Sequence, residues 1–81
     1  MTEEKLLTFV LLEDEKGLEI QMNRSGLRDL IDYLQRLQYA SAPLPNHDHL
    51  RTESWAGTEL TDVNEGESGS VLQKVTLRLL G

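Results

Sequence analysis

The chain contains no cysteine, and this absence excludes several kinds of chemistry. Without thiols there can be no disulfide, no thiolate nucleophile and no cysteine ligand for zinc. The fold must therefore rest on packing alone, which is compatible with the cytosol. Aromatic residues make up only 5% of the 81 residues, with one tryptophan. A chain of this length builds one small core, so we predict a single domain over residues 1–81.

Basic residues are also fewer than acidic ones: the chain has 8 Lys and Arg and 14 Asp and Glu, which gives a formal net charge of −6. This balance argues against binding to nucleic acid or an anionic membrane surface, because both depend on cationic side chains. No apolar run approaches the roughly 20 residues that cross a bilayer. The N-terminus is acidic and unlike a secretory signal, so we expect a cytoplasmic protein. An acidic chain suits a basic protein partner, although the charge can equally serve only to prevent aggregation.

The first part of the sequence predicts a β-hairpin. Residues 5–13 are rich in strand formers and apolar on both alternating faces. A charged turn follows, in which Gly17 can supply a positive φ. Residues 18–23 then alternate strictly, which places Leu18, Ile20 and Met22 on one inward face.

An amphipathic helix is predicted next. One apolar stripe has the i, i+3, i+4, i+7 spacing and contains Leu27, Leu30, Ile31, Leu34 and Leu37. We expect this stripe to be buried against a sheet. Asn23 or Ser25 can cap the start of the helix. Pro43 and Pro45 prevent it from continuing.

The remaining segments indicate strands at roughly 47–52 and at 71–80, separated by a polar loop over 62–70. Residues 55–57 interrupt the first of these, and residues 58–61 can resume it as an additional strand. The order β-β-α-β-(β)-β predicts an α+β fold, with an antiparallel sheet of four to five strands and one helix packed on one face. The opposite face is then partly apolar and carries two of Leu7, Phe9 and Leu11 together with Leu72 and Leu80, which indicates a homodimer as one arrangement.

The run His47-Asp48-His49 raises the question of a metal site. On a strand the two imidazoles share one face and could hold zinc, but Asp48 points to the other face. Glu53 or Glu59 would have to supply a third ligand, so the alternative is that the histidines form local hydrogen bonds. No glycine-flanked serine and no phosphate-binding glycine loop is present. We therefore predict no catalytic residues, no cofactor and no enzymatic activity.

The residues around Trp55 are the better candidates for a binding site. A Trp close to Gly57 is either a core or half-core anchor or an exposed interface anchor. Residues 59–70 contain acids and no basic residue, so they form either a negative edge that attracts a basic partner or a solvated loop. The candidate partner-binding residues are Trp55, His49, Glu59, Asp62, Glu65 and Glu67.

The run from His47 to Thr61, placed after the helix, resembles the predicted immunity protein 32 family of bacterial polymorphic toxin systems. The family has an Asp-His-x-His-Leu-x-Thr-x-x-Trp-Gly-Gly-x-x-Leu-like stretch. Matching positions in this chain are Asn46, His47, His49, Leu50, Thr52, Trp55, Gly57 and Leu60. Ala56 stands where the first glycine of the pair is expected.

The resemblance extends from about residue 18 to the C-terminus and implies a small α+β domain that neutralises a cognate toxin by binding it. It brings no active-site residues with it. The leading prediction is therefore a non-enzymatic cytoplasmic binding protein of the immunity type. A small metal-binding protein or a homodimeric structural protein is the alternative.

Overall fold

The computed structural model describes residues 4–39, 46–66 and 68–80 and confirms the α+β class. The predicted helix breakers Pro43 and Pro45 and the candidate site residue Glu67 lie outside these ranges. The elements are β1 (Leu7–Leu12), a 3-10 turn (Glu13–Glu15), β2 (Gly17–Met22), α1 (Arg24–Gln38), β3 (Asn46–Arg51), a second 3-10 turn (Glu53–Trp55), β4 (Ser70–Val71) and β5 (Lys74–Leu79). In the described ranges no helix is long and apolar enough to cross a membrane.

The five strands form two antiparallel sheets, so the expectation of one continuous sheet is wrong. The first sheet has the order β2–β1–β4, and the second is a two-stranded ribbon of β3 and β5. The amide of Leu72 donates to the carbonyl of Phe9 on β1 (2.8 Å), and that of Thr52 donates to the carbonyl of Gln73 (3.0 Å). The predicted closing strand is therefore divided at these two residues, where the chain passes from the edge of β1 to the edge of β3. The additional strand expected at 58–61 does not form.

The hairpin of β1 and β2 is confirmed, with Leu7 opposite Met22 and Leu11 opposite Leu18. The left-handed residue of its turn is Lys16, with φ of 52°, and not Gly17 as expected. Directly opposed residues share a face, so the apolar side chains of both strands form one surface. That surface contains Leu7, Phe9, Leu11, Leu18, Ile20 and Met22.

Helix α1 begins at an Asn23 cap, one of the two caps predicted from the sequence. The side-chain oxygen of Asn23 accepts hydrogen bonds from the amides of Gly26 (2.8 Å) and Leu6 (3.0 Å). Its side-chain nitrogen donates to the carbonyl of Glu4 (2.6 Å). One residue therefore stabilises the helix start and attaches it to the beginning of β1.

The helix is rotated relative to the predicted stripe. Leu27, Ile31 and Leu34, which we expected to be buried, are 43%, 45% and 47% exposed. Gly26 and Tyr33 are buried, and Leu30 packs against the core. The reason is the close approach of Gly26 to β1, where a Cβ atom would lie 2.8 Å from the carbonyl carbon of Leu6. This approach fixes which side of the helix faces the sheet.

The core lies between α1, the hairpin and the ribbon. Its buried members are Leu7, Phe9, Tyr33, Leu50 and Leu60. Leu72, assigned from the sequence to an open sheet face, packs against this cluster.

The opposite face of the first sheet is covered by residues of the loop, among them Thr61, Asn64 and Gly69. The hydroxyl of Thr61 lies 2.6 Å from that of Thr8, and the Gln21 amide donates to the side chain of Asn64 (2.9 Å). An added Cβ at Gly69 would lie 2.9 Å from the carbonyl oxygen of Leu11. The prediction that this face is open and apolar is therefore wrong, although Leu80 is exposed.

Candidate partner-binding site

The ribbon of β3 and β5 has two chemically different faces. Leu50 pairs with Val75, and both face the core. On the outer face His47 pairs with Arg78, His49 with Thr76, and Arg51 with Lys74. We call these six outer residues the basic face.

The basic face collects positive charge in a chain that is negative overall. It holds three of the 8 Lys and Arg residues, and Arg51 lies directly opposite Lys74. Like charges at opposed positions weaken a sheet. In the ranges 4–39, 46–66 and 68–80, the ion pair found is Lys5 with Asp29 (3.2 Å), so no carboxylate of these ranges forms an ion pair with this face. The net charge alone had not predicted such a surface, because pairing between two distant strands creates it.

His49 is held in place on this face. Its Nδ1 lies 3.0 Å from the hydroxyl of Thr76, and its ring meets that of His47 edge-on, with 4.8 Å between centroids. Desolvation lowers the pKa of His49 below 6.5, and the charges of Lys74, Arg51 and His47 lower it further against the opposing effect of Asp48. His49 is therefore mainly neutral at pH 7 and gains a proton, and a positive charge, only as the pH falls.

The geometry of the histidine pair bears on the metal hypothesis. Asp48 pairs with Leu77 on the inner side of the ribbon, so its carboxylate does not join the imidazoles. The residues that the structure describes include no group of three His, Cys, Asp or Glu side chains placed to hold a metal ion. Two imidazoles alone fall short of the three protein ligands that a catalytic zinc site requires.

Trp55 projects from a short turn that is closed by backbone hydrogen bonds. We call residues Glu53–Gly57 the Trp55 turn. The amides of Trp55 and Gly57 donate to the carbonyl of Thr52, each at 2.9 Å, and the amide of Ala56 donates to that of Glu53 (3.0 Å). Thr52 is itself buried, and its hydroxyl donates to the side chain of Gln73. Trp55 is 55% exposed, so it is not the core anchor considered from the sequence.

The Trp55 turn packs at the Arg51 end of the basic face. A Cβ atom added to Gly57 would lie 2.7 Å from the carbonyl oxygen of Arg51. Ala56 has a left-handed backbone with φ of 63°, which glycine adopts without strain. This is the position at which the resemblance expects a glycine. The turn therefore lies against the Arg51 end of β3, the strand that carries His49.

The candidate acidic residues do not share one role. The carboxylate of Glu59 accepts hydrogen bonds from the amides of Arg51 (3.1 Å) and Thr58 (3.2 Å). Lys5 Nζ donates to the carbonyls of Thr58 and Glu59, both at 2.9 Å. Glu59 thus holds the loop against the end of β3, and a partner could reach its half-buried side chain only in part.

The other acids extend along the loop away from β3. Asp62 lines an open hollow of about 400 Å³ together with Glu4 and Glu53, and we call it the acidic hollow. The amide of Glu65 donates to the Gln21 side chain on β2 (2.7 Å), which places Glu65 beside the outer strand. Sequence reasoning did not include Glu4 or Glu53, because the pairing that brings them to Asp62 is tertiary.

Glu59 should make the stability of the protein depend on pH. Burial raises the pKa of this carboxyl, but hydrogen bonds from the Thr58 and Arg51 amides and the Thr58 hydroxyl, together with the charge of Lys5, bring it below its ordinary value of 4.5. Its ionised form therefore stabilises the fold above that value, and the contribution is lost as the pH falls through the lower, folded-state pKa. We expect Glu59→Gln to lower the free energy of unfolding at pH 7 and the deficit to shrink below pH 4.5.

Urea unfolding at a series of pH values would measure this effect. Glu53→Gln is the matched control, since Glu53 is an exposed carboxylate on the neighbouring turn. A deficit for Glu59→Gln that is constant from pH 7 to pH 3 would contradict the assignment.

A comparison of the chain with models of protein families, with curated protein sequences and with solved structures gives no match.

Proposed function

We propose that this chain is a small non-enzymatic binding protein of the cytoplasm, of the immunity type, which neutralises a cognate toxin by binding it. The proposal rests on the resemblance over His47 to Thr61 and on the surface that this segment forms. Neutralisation by occlusion requires a complementary surface and no chemical step.

The observation that carries the proposal is an exposed tryptophan on a rigid support. Trp55 is 55% exposed, and the backbone of its turn is fixed by three hydrogen bonds and by the close contact of Gly57 with Arg51. Tryptophan, tyrosine and arginine are enriched at binding hot spots. A residue whose backbone is already fixed loses less entropy on binding, so more of its contact energy becomes affinity.

The matching positions of the resemblance divide into two groups. Leu50, Thr52 and Leu60 are buried, and Gly57 permits a close backbone approach, so packing explains them. Three others, His47, His49 and Trp55, have accessible side chains: the histidines lie along the outer face of β3, and Trp55 lies in the turn beyond its Arg51 end. Residues that a fold does not need are the ones that a binding function would require.

The charges around the Trp55 turn indicate what the partner must present. The basic face lies on one side at Arg51, and the acidic hollow begins at Glu53 within the turn itself. A partner that fits both would carry an acidic group and a basic group on either side of a pocket for Trp55. Such an arrangement favours one orientation and rejects partners with the opposite pattern.

Co-expression with the product of the adjacent gene tests the proposal. We expect a host that expresses that product to grow only when this chain is present, and the two proteins to co-purify. Trp55→Ala should weaken the complex by about 30-fold, which corresponds to the loss of a hot spot of roughly 2 kcal/mol. Binding would be measured by titration calorimetry with purified proteins.

Tyr39→Ala is the matched control, because Tyr39 is an exposed aromatic residue at the C-terminal end of α1 and not in the Trp55 turn. It should leave both growth and affinity unchanged. Equal growth of the host with and without this chain would exclude the immunity function. Unchanged affinity of Trp55→Ala would exclude the Trp55 turn as the binding site.

A further inference from the structure

Large apolar side chains are exposed in one region, where α1 meets β2. Met22 and Leu27 line the same shallow hollow, so the exposed side of the helix begins where the apolar face of the strand ends. The region, which we call the α1–β2 surface, contains Leu18, Ile20, Met22, Leu27, Ile31 and Leu34. Five of these are exposed and Met22 is half-buried. A contiguous apolar region of this kind on a small protein marks an interaction site.

The charge on α1 allows two copies of this surface to meet. The helix carries three arginines and two aspartates, a formal charge of +1, although the chain as a whole carries −6. The acidic loop that follows Glu59 lies elsewhere, whereas the acidic turn Glu13–Glu15 directly precedes β2 and lies at the Leu18 end of the surface. Contact of α1 in one copy with the Leu18 end of the other copy therefore brings a helix of net positive charge towards an acidic turn.

We propose that the α1–β2 surface binds a second copy of this chain and that the protein is a homodimer with two-fold symmetry. Two-fold symmetry places the same patch on both sides of the interface, which an amphipathic helix beside an open sheet face can satisfy. Each α1 then covers the apolar end of the other copy's hairpin, at Ile20 and Leu18. The site is separate from the Trp55 turn, so the dimer does not depend on the proposed immunity function.

Sedimentation equilibrium of the full chain over about 1–500 µM, a range that spans ordinary dimer affinities, tests the proposal. We expect a mass of twice 9.2 kDa for the unchanged protein. Ile31→Glu and Leu34→Glu should each raise the dissociation constant by at least about 100-fold, because a carboxylate would be buried without a partner. Since both side chains are about half exposed in the single chain, both variants should keep their helical circular dichroism.

Val63→Glu is the matched control, because Val63 is an exposed apolar residue in the loop and lies outside the α1–β2 surface. It adds the same charge and should leave the dimer intact. A mass of 9.2 kDa at every concentration would overturn the proposal. A dimer that persists in both helix variants would also overturn the proposal. A dimer that is lost equally in the Val63→Glu control would do the same.

Discussion

Replacing Gly26 with alanine should destabilise the protein by about 3 kcal/mol, the upper end of what overpacking usually costs. Alanine is the best helix former, so on propensity alone the change would be stabilising. The added Cβ would overlap the carbonyl oxygen of Leu6 and lie 3.3 Å from the Cβ of Leu7. Backbone atoms of a central strand cannot move aside, so α1 would have to lift from β1. That movement would weaken the hydrogen bonds between Asn23 and Leu6.

The control for this change is Gly17→Ala in the hairpin. At Gly17 the nearest atom to an added Cβ is the carbonyl oxygen of Glu15, at 3.9 Å, an ordinary contact distance. We expect this variant to lie within about 0.5 kcal/mol of the unchanged protein. Urea unfolding followed by circular dichroism would measure both. Equal stability of the two variants would show that α1 does not approach β1 as closely as the structure has it.

The sequence predicts that Leu34 is buried, but we expect Tyr33→Ala to destabilise the protein more than Leu34→Ala, at the neighbouring position of α1. Tyr33 is 7% exposed, belongs to the core cluster and stacks on the guanidinium of Arg36, 4.9 Å from its ring centre. Its hydroxyl also accepts a hydrogen bond from Lys5 (3.3 Å). Removing a buried aromatic side chain costs about 3–5 kcal/mol. Leu34 is nearly half exposed in the single chain, so its truncation should cost less than about 1 kcal/mol.

Both changes should be made in the Ile31→Glu variant, so that self-association does not contribute to the free energy of unfolding. Urea unfolding then compares single chains. A larger loss for Leu34→Ala than for Tyr33→Ala would mean that the leucine stripe faces the core after all. That result would also remove the basis of the α1–β2 surface.

The sequence predicts the features that depend on neighbouring residues. The hairpin, the Asn23 cap and the extent of α1 follow from alternation, turn residues and helical spacing within short windows. The orientation of α1 does not, because its apolar side chains cover a wide arc that offers more than one way to pack. A tertiary contact, the approach of Gly26 to Leu6, selects among these orientations.

The sequence likewise predicts only those parts of the candidate site that depend on neighbouring residues. His49 and Trp55 are candidates by residue type and spacing, and the structure leaves both accessible, one on β3 and the other in the turn that follows it. The basic face could not be identified in that way, since Arg51 and Lys74 become neighbours only when β3 pairs with β5. The role of Glu59 in holding the loop likewise depends on the amide of Arg51, which its spacing in sequence does not reveal.

The passage of the C-terminal strand between the two sheets also affects how the protein folds as it is synthesised. The hairpin and α1 are contiguous in sequence, so they can form as soon as they leave the ribosome. β3 pairs with β5, which follows it only after a long loop, so β3 stays unpaired until β5 has been made. Until then the edge of β3 and the apolar side chain of Leu50 are available to other chains, which is the condition under which nascent strands aggregate. The rate at which β5 emerges and pairs thus sets how long a newly made molecule needs protection.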